Sequence, residues 1–182
     1  MTNEGISAHQ LNLQTEHNSV LTDLNLSYTH IDSFMADPMK ATKIAATIKP
    51  SSLSIKDVFH FDDSLQFDSL MLLLATQVVQ VKGEINGFVN DINLANIQLN
   101  GLTKSQLTLD GQIRGLPDMD SLFVDIPNLY LQTNDADINL LMPLKGLGIP
   151  KNLALNSKFK GNLDDLLATI ELNTSDGKAS LN

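Results

Sequence analysis

Residues 82–99 read KGEINGFVNDINLANIQL, and this segment combines the apolar alternation of a β-strand with a regular placement of glycine. Gly83 and Gly87 lie four residues apart, and Asp91 follows at the same interval. Glycine inside a strand loses side-chain packing and carries an entropic cost, so it marks a bulge, a bend or a close backbone approach. The segment therefore predicts a strand with a special local geometry.

The apolar phase of the same segment changes once. Ile92 and Leu94 share one phase, whereas the next aliphatic pair, at residues 97 and 99, has the other phase. A shift of one residue turns side chains to the opposite face of a sheet unless an extra residue intervenes. We therefore predict a β-bulge near Ala95 or Asn96.

The glycine unit recurs along the chain. GEINGFVND at residues 83–91 is matched by GQIRGLPDMD at 111–120 and by SKFKGNLDD at 157–165. Positions four apart share one face of a strand, so paired glycines clear that face of bulk where a sheet coils, and an acidic residue then begins the reversal. The predicted structural residues are Gly83, Gly87, Asp91, Gly111, Gly115, Asp118, Gly161 and Asp165.

A longer similarity joins two of these units. KPSSLSIKDVF at residues 49–59 aligns with QTNDADINLLM at 132–142. We predict a short helix after each of two N-caps, Ser54 and Asp137, with Pro143 ending the second. Such self-similarity indicates stacked supersecondary units. We therefore expect one β-rich segment over residues 1–182, with sub-repeats at about 44–100 and 105–182.

Period-two alternation elsewhere predicts half-buried strands and an all-β fold. We expect a long, strongly twisted antiparallel sheet curled into an open apolar trough, with one or two short helical turns. Polar clusters predict turns at residues 16–19, 134–137 and 174–178, and residues 30–40 are expected to form an irregular excursion. The predicted strands include residues 11–13, 24–28, 44–48, 65–75, 77–87, 92–99, 107–113, 122–133, 153–161 and 168–174.

Composition narrows the classes of function. The 182 residues are 42% hydrophobic but only 5% aromatic, so apolar surfaces are built from aliphatic side chains. A net charge of −9 disfavours nucleic acid as a partner, and the absence of cysteine excludes disulfides and thiolate metal sites. No segment approaches the roughly 20 apolar residues of a membrane span, and the first residues do not form a signal peptide. The chain is therefore either cytoplasmic or an excerpt whose export signal lies upstream.

Catalytic and metal-binding motifs are not found in the sequence. Asp135, Asp137 and Asn139 begin like a calcium loop, but the glycine and glutamate positions that the loop requires hold Leu140 and Gly146. His60 with its neighbours at 62 and 63 is typical of a solvated turn. We expect a non-enzymatic protein with no catalytic residue, metal site or cofactor.

With these motifs in place, the sequence resembles the AsmA-like superfamily, and within it the TamB (translocation and assembly module) family in its Bacteroidota form. The resemblance is carried by residues 82–99, by LDGQIRGLPDMDSLFVDIPNLYLQT, by DINLLMP and by GIPKNLALNSKFKGNLDDLLATIELNTSDGKASL. It covers roughly the C-terminal two thirds of the chain. Residues before about 44 fit only as generic strand material.

The resemblance implies that the chain is an internal fragment of a larger envelope protein of Gram-negative bacteria. Such a protein is periplasmic, anchored to the inner membrane outside this segment, and forms a β-sheet trough with an apolar inner face. Its partners would be phospholipid acyl chains and an outer-membrane assembly protein. The function implied is phospholipid transport between the membranes in outer-membrane biogenesis.

Two alternatives stay open at this point. The aliphatic alternation fits either a lipid path or the sealed core of a β-sandwich; the residues alone favour the sealed core, and the resemblance favours the path. A scaffold that assists β-barrel assembly by sheet-edge pairing is the alternative to lipid transport. The lipid-groove candidates are Leu94, Ile97, Leu107, Leu109, Ile113, Leu129 and Leu131.

Overall fold

A computed structural model describes residues 4–28, 30–54, 56, 75, 77–141, 150–162 and 164–181. Ten strands form one sheet in which each strand pairs antiparallel with the next along the chain, so β1 and β10 lie at its edges. The predicted all-β antiparallel fold is confirmed, and a curled trough is compatible with this open sheet. The strands are β1 (Glu4–Gln14), β2 (Ser19–Tyr28), β3 (Lys43–Ser54), β4 (Val78–Phe88), β5 (Asp91–Gly101), β6 (Ser105–Arg114), β7 (Phe123–Asn134), β8 (Asn152–Asn162), β9 (Leu166–Thr174) and β10 (Lys178–Leu181).

In the described part of the chain, three short helices lie in the connections. They are α1 (Ile31–Ala36), α2 (Pro38–Ala41) and α3 (Asp135–Leu141), and a 3₁₀ turn covers Met119–Ser121. Among the described residues, no helix is long and apolar enough to cross a membrane.

Residues 30–40 form an excursion between β2 and β3, as predicted, but the excursion is not irregular, because it contains α1 and most of α2. Asp37 caps α2, since its Oδ1 atom accepts a hydrogen bond from the Lys40 backbone N–H at 3.2 Å. Pro38 occupies the first helical position, where its fixed φ suits a helix start. The Asp37-Pro38 pair was therefore a helix signal that the sequence analysis, which looked mainly for strands, missed.

The prediction that Asp137 is the N-cap of a helix and that residues 134–137 form a turn is also wrong. Helix α3 begins two residues earlier, at Asp135. Its capping side chain belongs to Asn134, whose Oδ1 accepts a hydrogen bond from the Asp137 backbone N–H at 2.8 Å. This places Asp137 in the first turn of the helix and frees its carboxylate for contacts outside it.

Several expectations fall outside the described residues. These are most of the helix expected after Ser54, the strand expected at residues 65–74, the His60 cluster and Pro143. Ala75, the last residue of that expected strand, lies in a turn. The remaining predicted strands correspond to β1 to β9. The bounds of β4 to β9 agree within two residues, whereas β1, β2 and β3 each extend five to seven residues beyond the predicted range at one end.

Register shifts interrupt the pairing between neighbouring strands from β1–β2 through β7–β8. The register shift in each strand pair lies close to the shift in the next pair, so the shifts form one line across the sheet. The predicted bulge in β5 is confirmed, because the register shifts between Leu94 and Ile97 and Asn96 has a φ of 52°. Pro50 and Pro127 lie in this line, where proline is tolerated because ladder hydrogen bonds are already broken. Bulges bend strands and increase twist, which favours a coiled sheet.

Candidate functional site

The site considered is the apolar face of the sheet, and one row of directly paired residues defines it. The row crosses nine strands and contains only aliphatic residues and glycine. With about 4.8 Å between neighbouring strands, this long apolar row extends roughly 40 Å along the sheet. Its members, from β1 to β9, are Ile6, Leu26, Ile44, Gly87, Ile92, Ile113, Val124, Gly161 and Leu166.

A second row lies on the same face, on the other side of the line of register shifts. It runs from β4 to β10 and holds leucine at each of its five central positions, which gives it the name leucine row. The two rows lie on one largely apolar face, which also holds Ser157 and Phe159 of β8 between them. The leucine row consists of Val81, Leu99, Leu107, Leu131, Leu155, Leu172 and Ala179.

The structure brings all seven lipid-groove candidates to this apolar face. Three of them, Ile97, Leu109 and Leu129, pair directly across β5, β6 and β7. Leu94 lies opposite Gly111, and the others belong to the two rows. Their contact with lipid stays a prediction.

The apolar face is half-buried rather than sealed. Among the described residues, the only hydrophobic side chains in the buried class are Val81 and Ile97, each 9% exposed. In the long apolar row, Ile6 is 69% exposed and Leu166 is 48% exposed. A β-sandwich would cover these side chains with a second sheet, whereas the described strands all belong to one sheet. The sealed sandwich core is therefore not what these strands form.

The opposite face is polar and carries cross-strand ion pairs. Lys49 Nζ lies 2.7 Å from Asp23 Oδ2, and Lys160 Nζ lies 2.7 Å from Asp125 Oδ2. The hydrogen bond from Lys49 is the main cause that lowers the pKa of Asp23. This face suits contact with water.

A cleft of about 330 Å³ opens on the polar face over β6 to β9, and its polar lining includes Asp110, Asn128, Tyr130, Lys158 and Glu171. Paired strands place these five side chains opposite to the apolar rows. This cleft therefore lies outside the apolar face.

The predicted glycines fulfil different local roles. Gly83, Gly87, Gly111 and Gly161 occupy apolar-face positions inside strands, whereas Gly115 lies in the turn after β6. Gly87 shows the requirement most clearly, because its φ is +134° and an added Cβ would collide with the Asp91 carbonyl oxygen.

The three predicted acidic residues lie at or beside reversals, as expected. Asp91 opens β5 and accepts a hydrogen bond from Gln112 Nε2 at 2.6 Å. Asp118 accepts a hydrogen bond from the Ser121 hydroxyl at 2.6 Å, which lowers the pKa of its carboxyl group. Asp165 precedes β9, but the side chain that organises its turn belongs to Asn162.

A buried carboxylate holds the turn between β5 and β6. Asp137 is 1% exposed, and its Oδ1 accepts hydrogen bonds from the Thr103 backbone N–H and hydroxyl at 3.0 and 2.5 Å. Its Oδ2 accepts from the Lys104 N–H at 2.9 Å and the Ser105 hydroxyl at 2.8 Å. Burial raises the pKa of Asp137, but these donors outweigh it and lower the pKa to about 2.

Asp137 and its hydrogen-bond donors form a cluster that stabilises the fold. The four groups that donate hydrogen bonds to Asp137 belong to this chain. Asp137 is also one of the three residues that resemble the start of a calcium loop in the sequence. In the part of the chain that the structure describes, no group of three or more histidine, cysteine or acidic residues is placed to hold a metal ion.

Sequence reasoning predicted the bulge at Asn96 but missed the matching bulge at Gln10 and the aspartates that hold both. Gln10 and Asn96 have φ values of 53° and 52°, and each donates its backbone N–H to an aspartate on the next strand. The acceptors are Asp23 at 2.7 Å and Asp110 at 2.6 Å. Asparagine near a phase shift was a usable signal, whereas glutamine rarely adopts this conformation and gave none.

Comparison of the chain with models of protein families, with curated proteins and with solved structures finds no match.

Proposed function

We propose that this chain is a non-enzymatic segment of a periplasm-spanning envelope protein that offers phospholipid acyl chains an apolar groove between the inner and outer membranes. The observation that carries the proposal is the long apolar row, which crosses nine strands without a polar side chain. Contiguous exposed apolar surface of this extent marks a binding site for an apolar partner.

The energetics favour a hydrocarbon ligand. Transfer of one CH₂ group from water to an apolar surface is worth about 0.8 kcal/mol when burial is complete. Seven of the row members are partly exposed and the two end members, Ile6 and Leu166, are exposed, so a bound chain would remove both its own surface and theirs from water. An acyl chain therefore gains stabilisation along the whole row.

The composition of the face supports sliding over fixed binding. Aliphatic side chains make contacts without directional preference, and polar groups that fix a ligand's orientation in ordinary pockets are missing from the long apolar row. A ligand could then shift along the row with small changes in free energy.

The test places one negative charge on either face of the same strand. Leu107→Glu places a carboxylate in the leucine row, whereas Gln106→Glu places one at the adjacent residue, on the polar face. Vesicles containing a phospholipid with a fluorescent acyl chain are mixed with each protein, and native mass spectrometry counts the lipid bound. Circular dichroism verifies that both variants keep the β-sheet.

We expect the native chain and Gln106→Glu to take up phospholipid and Leu107→Glu to lose most of it. Failure of the native chain to bind any phospholipid would contradict the proposal. Equal uptake by the two variants would show that lipid does not bind on the leucine row.

A scaffold role in outer-membrane β-barrel assembly is the second candidate, and a separate observation favours it. Strand β1 has eleven residues and lies at one edge of the sheet that the described residues form, where Ile6 is 69% and Leu13 is 53% exposed. Long apolar edges of this kind accept further strands. Crosslinks from β1 to a barrel-assembly protein, unchanged by Leu107→Glu, would support this role and not the groove.

A further inference from the structure

The cleft on the polar face over β6 to β9 is lined by side chains whose hydrogen-bonding groups are free. Elsewhere on this face, side chains of neighbouring strands bind each other: Gln80 donates to Ser52 at 2.9 Å, and Lys160 donates to Asp125 at 2.7 Å. Within the described residues, most polar side chains of the cleft lining form neither a hydrogen bond nor an ion pair. These free side chains belong to Thr108, Asn128, Asn156, Lys158, Thr169 and Glu171.

Separation between the strands does not explain why these groups are unpaired. Asn156 lies directly opposite Glu171, and Lys158 lies directly opposite Thr169. Directly opposite residues of an antiparallel pair have Cβ atoms about 5 Å apart, which is close enough for polar side chains to bind each other. The register therefore brings free donors and acceptors together over β8 and β9 without joining them.

A bulge in β7 lies at the cleft. The register of β7 and β8 shifts so that two residues of β7, Pro127 and Asn128, lie opposite Lys158 alone. All three residues line the cleft. Bulges bend a strand and redirect its side chains, and they are frequent beside binding sites for that reason. The cleft therefore lies where the sheet departs from regular pairing.

Tyr130 supplies an aromatic ring to the cleft lining. The residue is 36% exposed, and its hydroxyl group already donates to Gln132 Oε1 at 3.3 Å. Thr108 of β6 and Asn156 of β8 lie directly opposite Tyr130 on its two sides. An exposed ring between free hydroxyl and amide groups offers an apolar contact together with hydrogen bonds. This combination suits a ligand that has both C–H and O–H surface.

Charge and position narrow the class of ligand. An anion such as phosphate would meet carboxylates at Asp110 and Glu171, with only the ammonium group of Lys158 to balance them. An extended peptide pairs with the backbone of an edge strand, whereas β6 to β9 are paired on both sides. A hydrocarbon chain would cover the free polar groups without binding them, which costs free energy. A neutral ligand rich in hydroxyl groups meets none of these objections.

We propose that this cleft binds a neutral saccharide. The ring of Tyr130 contacts a C–H face of a pyranose ring, and Asn128, Asn156 and Glu171 bind its hydroxyl groups. Strands β6 to β9 extend over roughly 14 Å, at about 4.8 Å between neighbours, so a short oligosaccharide lies across them. The cleft and the apolar rows lie on opposite faces of the sheet, and the proposal is therefore independent of lipid binding.

The probes are cellotetraose, whose sugar rings carry hydroxyl groups, and chitotetraose, which adds acetamido groups. Each is titrated to about 10 mM into the full chain labelled with ¹⁵N, and the amide chemical shifts give both the Kd and the location of the site. Inorganic phosphate is the control ligand. Circular dichroism verifies that each variant keeps the β-sheet.

We expect at least one of the two saccharides to bind with a Kd of about 1 mM or lower and to shift the amides of β6 to β9 that border the cleft. Tyr130→Ala should weaken binding about tenfold, whereas Tyr130→Phe should bind like the native chain because the ring is kept. Asn156→Ala, a change at an exposed residue, should also weaken binding.

Phe88→Ala is the matched control for loss of an aromatic ring. Phe88 is 43% exposed, and it follows Gly87 of the long apolar row, so it lies on the polar face but outside the cleft. Its replacement should leave saccharide binding unchanged. Tyr130→Ala should leave phospholipid uptake unchanged, because Tyr130 lies on the face opposite to the apolar rows.

Failure of both saccharides to shift the amides at the cleft would overturn the proposal. Unchanged affinity in both Tyr130→Ala and Asn156→Ala would do the same, because it would remove the named contacts. Shifts at the cleft with inorganic phosphate and with neither saccharide would identify an anion site instead. Loss of saccharide binding in Phe88→Ala but not in Tyr130→Ala would place the site at the other end of the polar face.

Discussion

Replacement of Asp137 by asparagine should destabilise the protein in a way that depends on pH. Its side chain is 1% exposed, and its pKa is lowered from 3.8 to about 2 by donors from the β5–β6 turn. One pKa unit corresponds to about 1.36 kcal/mol, so ionised Asp137 contributes about 2 kcal/mol to folding at neutral pH.

The direction of the pH effect follows from the lowered pKa. The contribution is fully present above 3.8, the pKa of the unfolded chain, and it is lost as the pH falls through about 2, the folded value. At pH 3 about half of it remains. The difference in unfolding free energy between the native chain and Asp137→Asn should therefore shrink with acidification.

Urea unfolding followed by circular dichroism at several pH values between 7 and 2 measures this difference. Asp135→Asn is the matched control, because Asp135 lies in the same helix and, among the described residues, its carboxylate accepts only from the neighbouring Ala136 N–H. We expect the control to cost well under 1 kcal/mol at about pH 7. Equal losses for the two variants, or a difference that persists unchanged to pH 2, would refute the role given to the Asp137 carboxylate.

Three further substitutions test the sheet itself by urea unfolding at neutral pH. Gly87→Ala should cost about 2 to 3 kcal/mol, because of its positive φ and the backbone in its way, whereas Gly177→Ala, with open space around it, should be nearly neutral. Asp110→Ala should cost about 1 kcal/mol and speed hydrogen exchange at the Asn96 amide; unchanged exchange there would contradict the bulge contact. Ser157→Ala should be neutral or stabilising by up to about 1 kcal/mol, because the buried Ser157 hydroxyl has no hydrogen-bond partner among the described residues; a clear loss of stability would contradict this.

Alternation and glycine spacing were sufficient to predict the strands and the β5 bulge. Period two is a local property that antiparallel pairing preserves, so a run such as residues 92–99 carries its own strand signal. The phase shift between Leu94 and Ile97 carried the bulge signal in the same way, because the apolar face must remain continuous across it.

Local sequence signals did not predict the role of a side chain that binds a distant part of the chain. Asp137 has the residue type of an N-cap, but its carboxylate instead binds a turn more than thirty residues earlier in the chain. No local pattern distinguishes these two uses of an aspartate. In α1 and α2 the error was different, since the Asp-Pro signal was present but the segment is too short for helical periodicity to appear.

The candidate face depended on register, which the sequence could not provide. Residue alternation gave two faces for each strand but did not tell which face of one strand continues that of the next. Pairing resolves this, because Ile92 lies opposite Ile113, and Ile113 lies opposite Val124. The seven candidates thereby become neighbours on one surface.

The glycines give that surface a feature that aliphatic side chains alone would not. Gly87 lies between Ile44 and Ile92 in the long apolar row, and Gly161 lies between Val124 and Leu166. At both points the face is bare backbone flanked by larger side chains, so the row dips. A hydrocarbon chain lying along the row would meet the sheet most closely there. The backbone demand that selects glycine at Gly87 thus also shapes the surface proposed to bind lipid.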